Sequence, residues 1–344
     1  GILMKALLLK NHGYTREQPD STVLSDMTPF VEMREIDEPE PGEGEVKVEV
    51  SLASVNPSDE MFIQGLYGQP RVQGNVAGFE GVGKGVASGG GHYADGLVGQ
   101  RVAVVAKPGR PGTWGKYAIG EATTCIPLMD GVRDEDGAAM VVNPLTALAM
   151  FDIVTKSDSK SFILSAAASQ LCKLMMNVAQ EEGYAPIALV RRDEQFDLMK
   201  ENGAANVLNV KSDTFLEDFA KISRAEKPRI FLDAVADQTS ADIHDAMPNR
   251  ARWIIYGKLS EELPTIKQPG AMIFQSKVIE GFWLNRWMRD SDMATKMGAI
   301  QQAQQRFASG EWKTDVTAIV PLDEAIDRVP EELAKPNGKV FIKP

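Results

Sequence analysis

The chain is short of the residues on which most metal and disulfide chemistry rests. Among 344 residues there are two cysteines and three histidines. Cys125 and Cys172 cannot build a disulfide framework, and their scarcity suits a reducing compartment. His12, His92 and His244 are scattered and form no metal-ligand or catalytic-triad spacing. Basic charge is also in deficit: 37 Lys and Arg stand against 48 Asp and Glu, for a net charge of −11. Binding a phosphate backbone needs a basic face, so nucleic acid is excluded as the main partner. No apolar run approaches the roughly 20 residues that a membrane-spanning helix needs, so no membrane partner is expected. No signal-peptide pattern is visible, and Gly1-Ile2-Leu3 ahead of Met4 reads as a cloning remnant, so a cytoplasmic protein is expected.

What is present is an ordinary globular composition, 43% hydrophobic and 25% charged, at a length that suits one large domain or two smaller ones. Residues up to about 125 are β-rich. Val46 to Val50 alternates as a half-buried strand, Gln100 to Val105 reads as another, and Val76 to Ala87 reads as a bent strand whose glycines permit close backbone approach. Many short strands between Gly and Pro turns point to a barrel-like β domain. From about residue 131 strands and helices alternate, which implies a parallel sheet with right-handed crossovers. The strands are expected near Phe162–Leu164, Ile187–Val190, Asn206–Asn209, Ile230–Ala234, Trp253–Tyr256 and Val278–Trp283. A long helix over about Ser291 to Ser309 carries Met293, Met297, Ile300 and Phe307 on one side. The tail from Val316 to Val320 and from Lys339 to Ile342 returns to β character.

The segment from Ser161 to Arg192 carries the most chemistry. A buried strand leads into Ser165-Ala166-Ala167-Ala168-Ser169, a turn almost without side chains. Apolar residues at Leu171, Leu174, Met175, Val178 and Ala179 then mark one stripe of a helix, Gly183 suits its C-cap, and a second strand follows. This is a βαβ unit, and a diphosphate would sit at its helix N-terminus, where N–H groups and the helix dipole favour anions. The G-x-G-x-x-G fingerprint is absent: Ala166, Ser169 and Cys172 stand roughly where its glycines belong. Arg191 and Arg192 end the second strand. An acidic residue there would accept bonds from a ribose 2′-hydroxyl, whereas arginines suit a 2′-phosphate, so NADP(H) is expected over NAD(H).

The order of a β domain, a Rossmann domain and a short β return resembles the medium-chain dehydrogenase/reductase superfamily over essentially the whole chain. Ala53-Ser54-Val55-Asn56-Pro57-Ser58-Asp59, Gly112-Thr113-Trp114-Gly115-Lys116-Tyr117-Ala118 and Asn143-Pro144-Leu145-Thr146-Ala147 resemble its quinone reductase and enoyl reductase branches. Asn56 to Asp59, followed by Ile63-Gln64-Gly65-Leu66-Tyr67, and the run from Gly281 to Trp287 narrow the likeness to the 2-enoyl thioester reductases. Zinc dehydrogenases of the superfamily carry Gly-His-Glu where Gly78-Phe79-Glu80 stands, together with clustered cysteines that this chain lacks, so a zinc-independent enzyme is implied.

The resemblance implies a doubly wound Rossmann sheet over 131–290 and a GroES-like, β-barrel-type catalytic domain over 1–130 and 291–344. It also implies a homodimer, with Val278 to Trp283 as the strand that pairs across a two-fold axis. For an NADPH-dependent reductase of enoyl thioesters, enals or enones, Tyr67 holds the motif position of the proton donor. A phenol suits that role, because the ordinary tyrosine pKa near 10 keeps it protonated at neutral pH. Asn143, Ala168, Ser169, Gln170, Leu171, Arg191, Arg192, Tyr256, Gly257, Lys258, Phe282, Trp283, Leu284 and Lys339 carry over as cofactor-contacting positions. Two other readings stay open: an NADPH:quinone reductase, in which Tyr67 is dispensable, and a non-catalytic nucleotide-binding protein on the same fold.

Overall fold

The computed structural model describes residues 1–19, 21–335 and 338–344. The chain forms two compact units. Gly1–Gln18, Thr22–Asn143 and Ile300–Pro344 make the first, and Pro19–Ser21 and Pro144–Ala299 make the second.

Unit 1 opens with strands β1 (Leu3–Leu9), β2 (Val31–Asp37), β3 (Glu45–Val55), β4 (Glu80–Ser88), β5 (Arg101–Val105), β6 (Tyr117–Glu121) and β7 (Ile126–Pro127). Unit 2 contributes β8 (Ser161–Leu164), β9 (Ala185–Val190), β10 (Asn206–Asn209), β11 (Ile230–Asp233), β12 (Arg252–Ile255) and β13 (Val278–Gly281). The last two strands, β14 (Val316–Pro321) and β15 (Lys339–Lys343), return to unit 1.

In unit 2 the six strands are parallel and lie in the order β10-β9-β8-β11-β12-β13. Renumbered from β8, that is 3-2-1-4-5-6, the doubly wound Rossmann order, in which ligands bind at the carboxyl ends of the strands where the order reverses. β8 and β11 are buried at every position, as strands covered on both faces must be. Ile163, Ile187, Phe219, Phe231 and Trp253 form the centre of this core.

In unit 1 the main sheet runs β14-β15-β3-β4-β5-β7, with β6 also paired to β3. Its core includes Leu7, Leu9, Val50, Trp114, Val320, Val340 and Ile342. β15 lies antiparallel to β3 with Val340 opposite Val55. The C-terminal strand therefore completes a sheet begun nearly three hundred residues earlier.

Three expectations need correction. β4 starts at Glu80, not near Val76, because Gly78 turns the chain at φ +99, where a Cβ would stand 2.4 Å from Trp114 Cδ1. β13 stops at Gly281, and Trp283 becomes the N-cap of the helix Leu284–Asp290. In the helix Met293–Ser309 the apolar side is buried only toward the C-terminus: Phe307 is 3% exposed, but Met293 is 61% and Met297 51% exposed.

Candidate functional site

The turn after β8 sits where the strand order reverses. Ser169 caps the helix Gln170–Glu181, its side chain accepting from the Cys172 N–H at 3.2 Å. Ala166 adopts φ +47, a left-handed conformation that costs a non-glycine residue about 1–2 kcal/mol. The turn thus keeps a glycine-like path with alanine in it. Ala166, Ala168 and Ser169 are only half-buried, so the backbone stays approachable at the helix N-terminus. Gln170 and Leu171, which open the helix, are buried.

Ser165 ties this turn to the next strand. Its hydroxyl donates to Asp233 Oδ1 at 2.6 Å and accepts from the Ala234 N–H at 2.9 Å. Asp233, fully buried, also accepts from the N–H groups of Val235 and Ala236 and from Trp253 Nε1 at 2.8 Å. One carboxylate therefore links the ends of β8 and β11 and anchors the Trp253 indole of β12. Sequence reasoning missed Asp233; the available signal was a single acid closing the apolar run Ile230-Phe231-Leu232. Cys172, at the third glycine position, is fully buried, with Sγ 3.6 Å from the Ser165 carbonyl and 3.7 Å from the Tyr256 hydroxyl. Its thiol closes the helix onto the strand and brings Tyr256 to the turn. Burial, reinforced by Cys172, pushes the Tyr256 phenol well above its ordinary value, so it stays protonated.

Arg191 and Arg192 are exposed at the end of β9. Among the described residues neither guanidinium has a protein partner. Asp193, whose charge would offset theirs, accepts a bond from Asn209 Nδ2 at 3.0 Å. Two unpaired guanidinium groups at this point fit a 2′-phosphate. Replacing both by alanine is expected to raise the KM for NADPH by about 10- to 100-fold, one or two charge-assisted bonds, while leaving the KM for NADH nearly unchanged. Steady-state kinetics with both nucleotides checks this, and an equal loss for both would remove the arginines from phosphate recognition.

The other candidates are placed as follows. Lys258 Nζ donates to the carbonyls of Ala236 at 3.0 Å, Ser260, and Glu262 at 2.6 Å, so it ties the chain after β12 and is not open to a phosphate. Gly257 lies where a Cβ would meet the Ala234 carbonyl at 3.0 Å, a close approach of two strand ends. Phe282 and Trp283 are half-buried; Phe282 donates its N–H to the Ile255 carbonyl at 2.9 Å, and Arg289 lies over the Trp283 ring at 5.8 Å. Leu284 opens the following helix, and half-buried Asn143 sits in the first turn of the helix Val142–Thr155.

Lys339 is corrected outright. Since Val340 lies opposite Val55, Lys339 falls beside Asn56. It is 6% exposed and donates to Asn56 Oδ1. Asn56 Nδ2 donates to Glu80 Oε2 at 2.6 Å, while Glu80 Oε1 accepts from the N–H groups of Val141 at 3.1 Å and Val142 at 3.3 Å. Asp59 accepts from the N–H groups of Asn56 at 2.8 Å and Phe79 at 3.0 Å. The ammonium is thus the charge partner of carboxylates inside unit 1. Burial lowers its pKa, against the pull of Glu80, Asp59 and Glu60.

The same network does not fit zinc. Phe79 offers no ligand atom, and both Glu80 oxygens are held by donors. Cys125 is buried, and burial pushes its thiol up to about 12. Among the described residues no three His, Cys, Asp or Glu side chains gather as a metal site.

Glu60 adds a pH dependence. Burial raises its carboxyl from 4.5 to about 7, against the opposing effects of the Leu24 N–H and Lys339. The folded chain therefore keeps a proton that the unfolded chain has released, so this group's contribution is complete below pH 4.5 and lost as pH rises through about 7. Glu60→Gln keeps an acceptor for Leu24 and is expected to gain stability over the parent on the order of 2 kcal/mol between about pH 5 and pH 8. Denaturant unfolding at both pH values checks it; curves that shift in parallel would exclude Glu60.

Tyr67 follows the helix Pro57–Ile63, in a loop turned by Gly65 at φ +78. Buried Arg71 braces that loop, donating to the carbonyls of Gly13 at 2.9 Å and Ile63 at 3.1 Å. The half-buried Tyr67 ring lies 5.5 Å from that of Phe79.

The parallel 3-2-1-4-5-6 sheet with its phosphate-type turn defines a dinucleotide-binding protein of the two-unit dehydrogenase type. Comparison with known proteins narrows this. Residues 42–139 match the family described as alcohol dehydrogenase GroES-like domain, and residues 171–301 match that described as zinc-binding dehydrogenase. A crystal structure from Mesorhizobium loti, described as a candidate NADPH:quinone reductase, is 55% identical, with a TM-score of 0.94, and the match covers 99% of this chain and 98% of that one. The mitochondrial enoyl-[acyl-carrier-protein] reductase of Arabidopsis thaliana is 27% identical over 99% of this chain and 86% of its own length. The Etr1p/NADP/crotonyl-CoA complex shares the fold at a TM-score of 0.81 over the full length of both chains, with 21% identity. The chain belongs to the medium-chain dehydrogenase/reductase superfamily.

Proposed function

We propose that this chain is an NADPH-dependent, zinc-independent reductase of α,β-unsaturated thioesters or of small enals and enones. The observation that carries the reading is the pair of exposed guanidinium groups of Arg191 and Arg192 at the end of β9, without a partner among the described residues, beside a half-buried turn that leaves its backbone approachable. The cofactor, when bound, supplies the hydride for the β carbon. Ala168 and Ser169 would hold its diphosphate, and Arg191 and Arg192 its 2′-phosphate. Asn143, Gly257, Phe282, Trp283 and Leu284 remain proposed contacts. Tyr67 would hold the proton delivered to the α carbon as negative charge drains from the carbonyl.

The second reading, an NADPH:quinone reductase, is favoured by the Mesorhizobium loti relative. It requires no proton donor of its own, because solvent can protonate a reduced quinone. NADPH oxidation with crotonyl-CoA, measured beside a panel of quinones, tests the choice. Turnover with quinones only would overturn the thioester reading, and calorimetry showing no binding of either NADPH or NADH would overturn both.

The proposed assembly is a homodimer paired through β13. That strand is the edge of its sheet, with Val278 41% and Ile279 38% exposed, and the preceding helix presents Ile273 at 73% and Phe274 at 84%. An exposed apolar edge of this kind is ordinarily covered. Sedimentation is expected to give a dimer, and Phe274→Lys with Val278→Lys a monomer; a monomeric parent would refute the assembly.

A further inference from the structure

Phe79 stands at the motif position where the zinc relatives carry histidine, and its surroundings suggest what it does there. Its ring centroid lies 5.5 Å from that of Tyr67 with the planes at 43°, and 4.9 Å from that of Phe62 at 44°. Tilted pairs at these separations attract beyond simple area burial. Phe62 belongs to the helix that precedes the Tyr67 loop, so the three rings form one stack that begins and ends on neighbouring stretches of chain.

The backbone of Phe79 is held firmly. Its N–H donates to Asp59 Oδ1 at 3.0 Å, and its carbonyl accepts from the Ala106 N–H at 2.8 Å. The other oxygen of Asp59 accepts from the Asn56 N–H at 2.8 Å, which starts the helix leading to Tyr67. A single buried carboxylate therefore straps the Tyr67 helix to Phe79. Gly78, at φ +99, lets the chain enter Phe79 past Trp114 and Thr113, whose atoms would lie within 2.7 Å of any Cβ there. On one flank Phe79 lines an open cleft together with Phe62, Val72, Val76 and Pro70. The ring is thus held by its backbone, its aromatic neighbours and its packing against the unit 1 core, with one flank open.

We infer that Phe79 is a positioning residue: a backbone-anchored aromatic plate that sets the angle at which Tyr67 presents its hydroxyl. This rests on the reading of Tyr67 as proton donor. The chemistry loses sharply when a reacting group is displaced by about 1 Å.

The test uses the full-length protein with NADPH and crotonyl-CoA. Phe79→Leu, a side chain of smaller contact area that keeps the backbone bonds, is expected to lower kcat roughly ten-fold with little change in the KM for NADPH. Phe79→Tyr, whose added hydroxyl can enter the cleft, is expected to return to within about two-fold of the parent. In a Tyr67→Phe background the Phe79→Leu loss should vanish, since no donor is left to misplace. A crystal structure of Phe79→Leu should show the Tyr67 ring displaced. An unmoved Tyr67 ring, or an equal loss in the Tyr67→Phe background, overturns the inference and leaves the donor reading intact. A displaced ring together with a Tyr67→Phe variant that keeps the parent's turnover overturns the donor reading and keeps the placement.

Discussion

Lys339→Met is expected to lower the unfolding free energy by about 3–5 kcal/mol, the usual cost of removing one partner from a buried ionic group. Lys339 is 6% exposed, and the Glu80 and Asp59 side chains around it are both 1% exposed. With the ammonium gone, Asn56 loses its donor, and Glu80 keeps Asn56 Nδ2 and two backbone N–H groups but no counter-charge. Burial already holds the Asp59 carboxyl up to about 7, so the site responds by taking up protons and losing stability more steeply as pH rises. Adding Glu80→Gln to Lys339→Met should recover part of the loss, because the remaining charge imbalance is smaller. Denaturant unfolding of the parent and both variants measures this. A change below about 1 kcal/mol would mean that Lys339 is not the charge partner of this network.

Tyr67→Phe is expected to lower kcat for crotonyl-CoA by about 10²- to 10⁴-fold, the contribution of a well-placed general acid, while the KM for NADPH holds. The variant keeps the ring and its 5.5 Å contact with Phe79, so the loop should survive and only the proton be lost. Arg71 and Gly65, which shape that loop, are untouched. Under the quinone reading the same variant keeps its turnover. The two kinetic outcomes therefore separate the readings as well as testing the residue; crotonyl-CoA turnover equal to the parent's would remove Tyr67 from the chemistry.

The arginine pair shows how local a legible signal can be. Arg191 and Arg192 follow directly from the end of an apolar strand, and strand ends in a parallel sheet are where ligands collect, so the residue type and its position carry the expectation together. The β8 turn is similar: small residues between a buried strand and an amphipathic helix need no distant partner to be recognised. Lys258 and Lys339 show the limit. Both are cations near motif positions, but one is held by two carbonyls of its own turn and the Ala236 carbonyl after β11, and the other by Asn56 from the far end of the sequence.

By itself, then, the sequence determined the alternation of strands and helices, the βαβ unit and the charges at its end, because hydrophobic period, turn chemistry and helix caps act over a few residues. Only the tertiary structure decided that Asp233 links the ends of β8 and β11 to the Trp253 indole, that Cys172 closes the helix onto Ser165, and that Lys339 neutralises carboxylates beside Asn56. Those contacts depend on strand order and register: a one-residue slip of β15 against β3 would turn Lys339 to the opposite face of the sheet. Burial, which sets the protonation of Asp59 and Glu60, arises only once the sheets have closed around them.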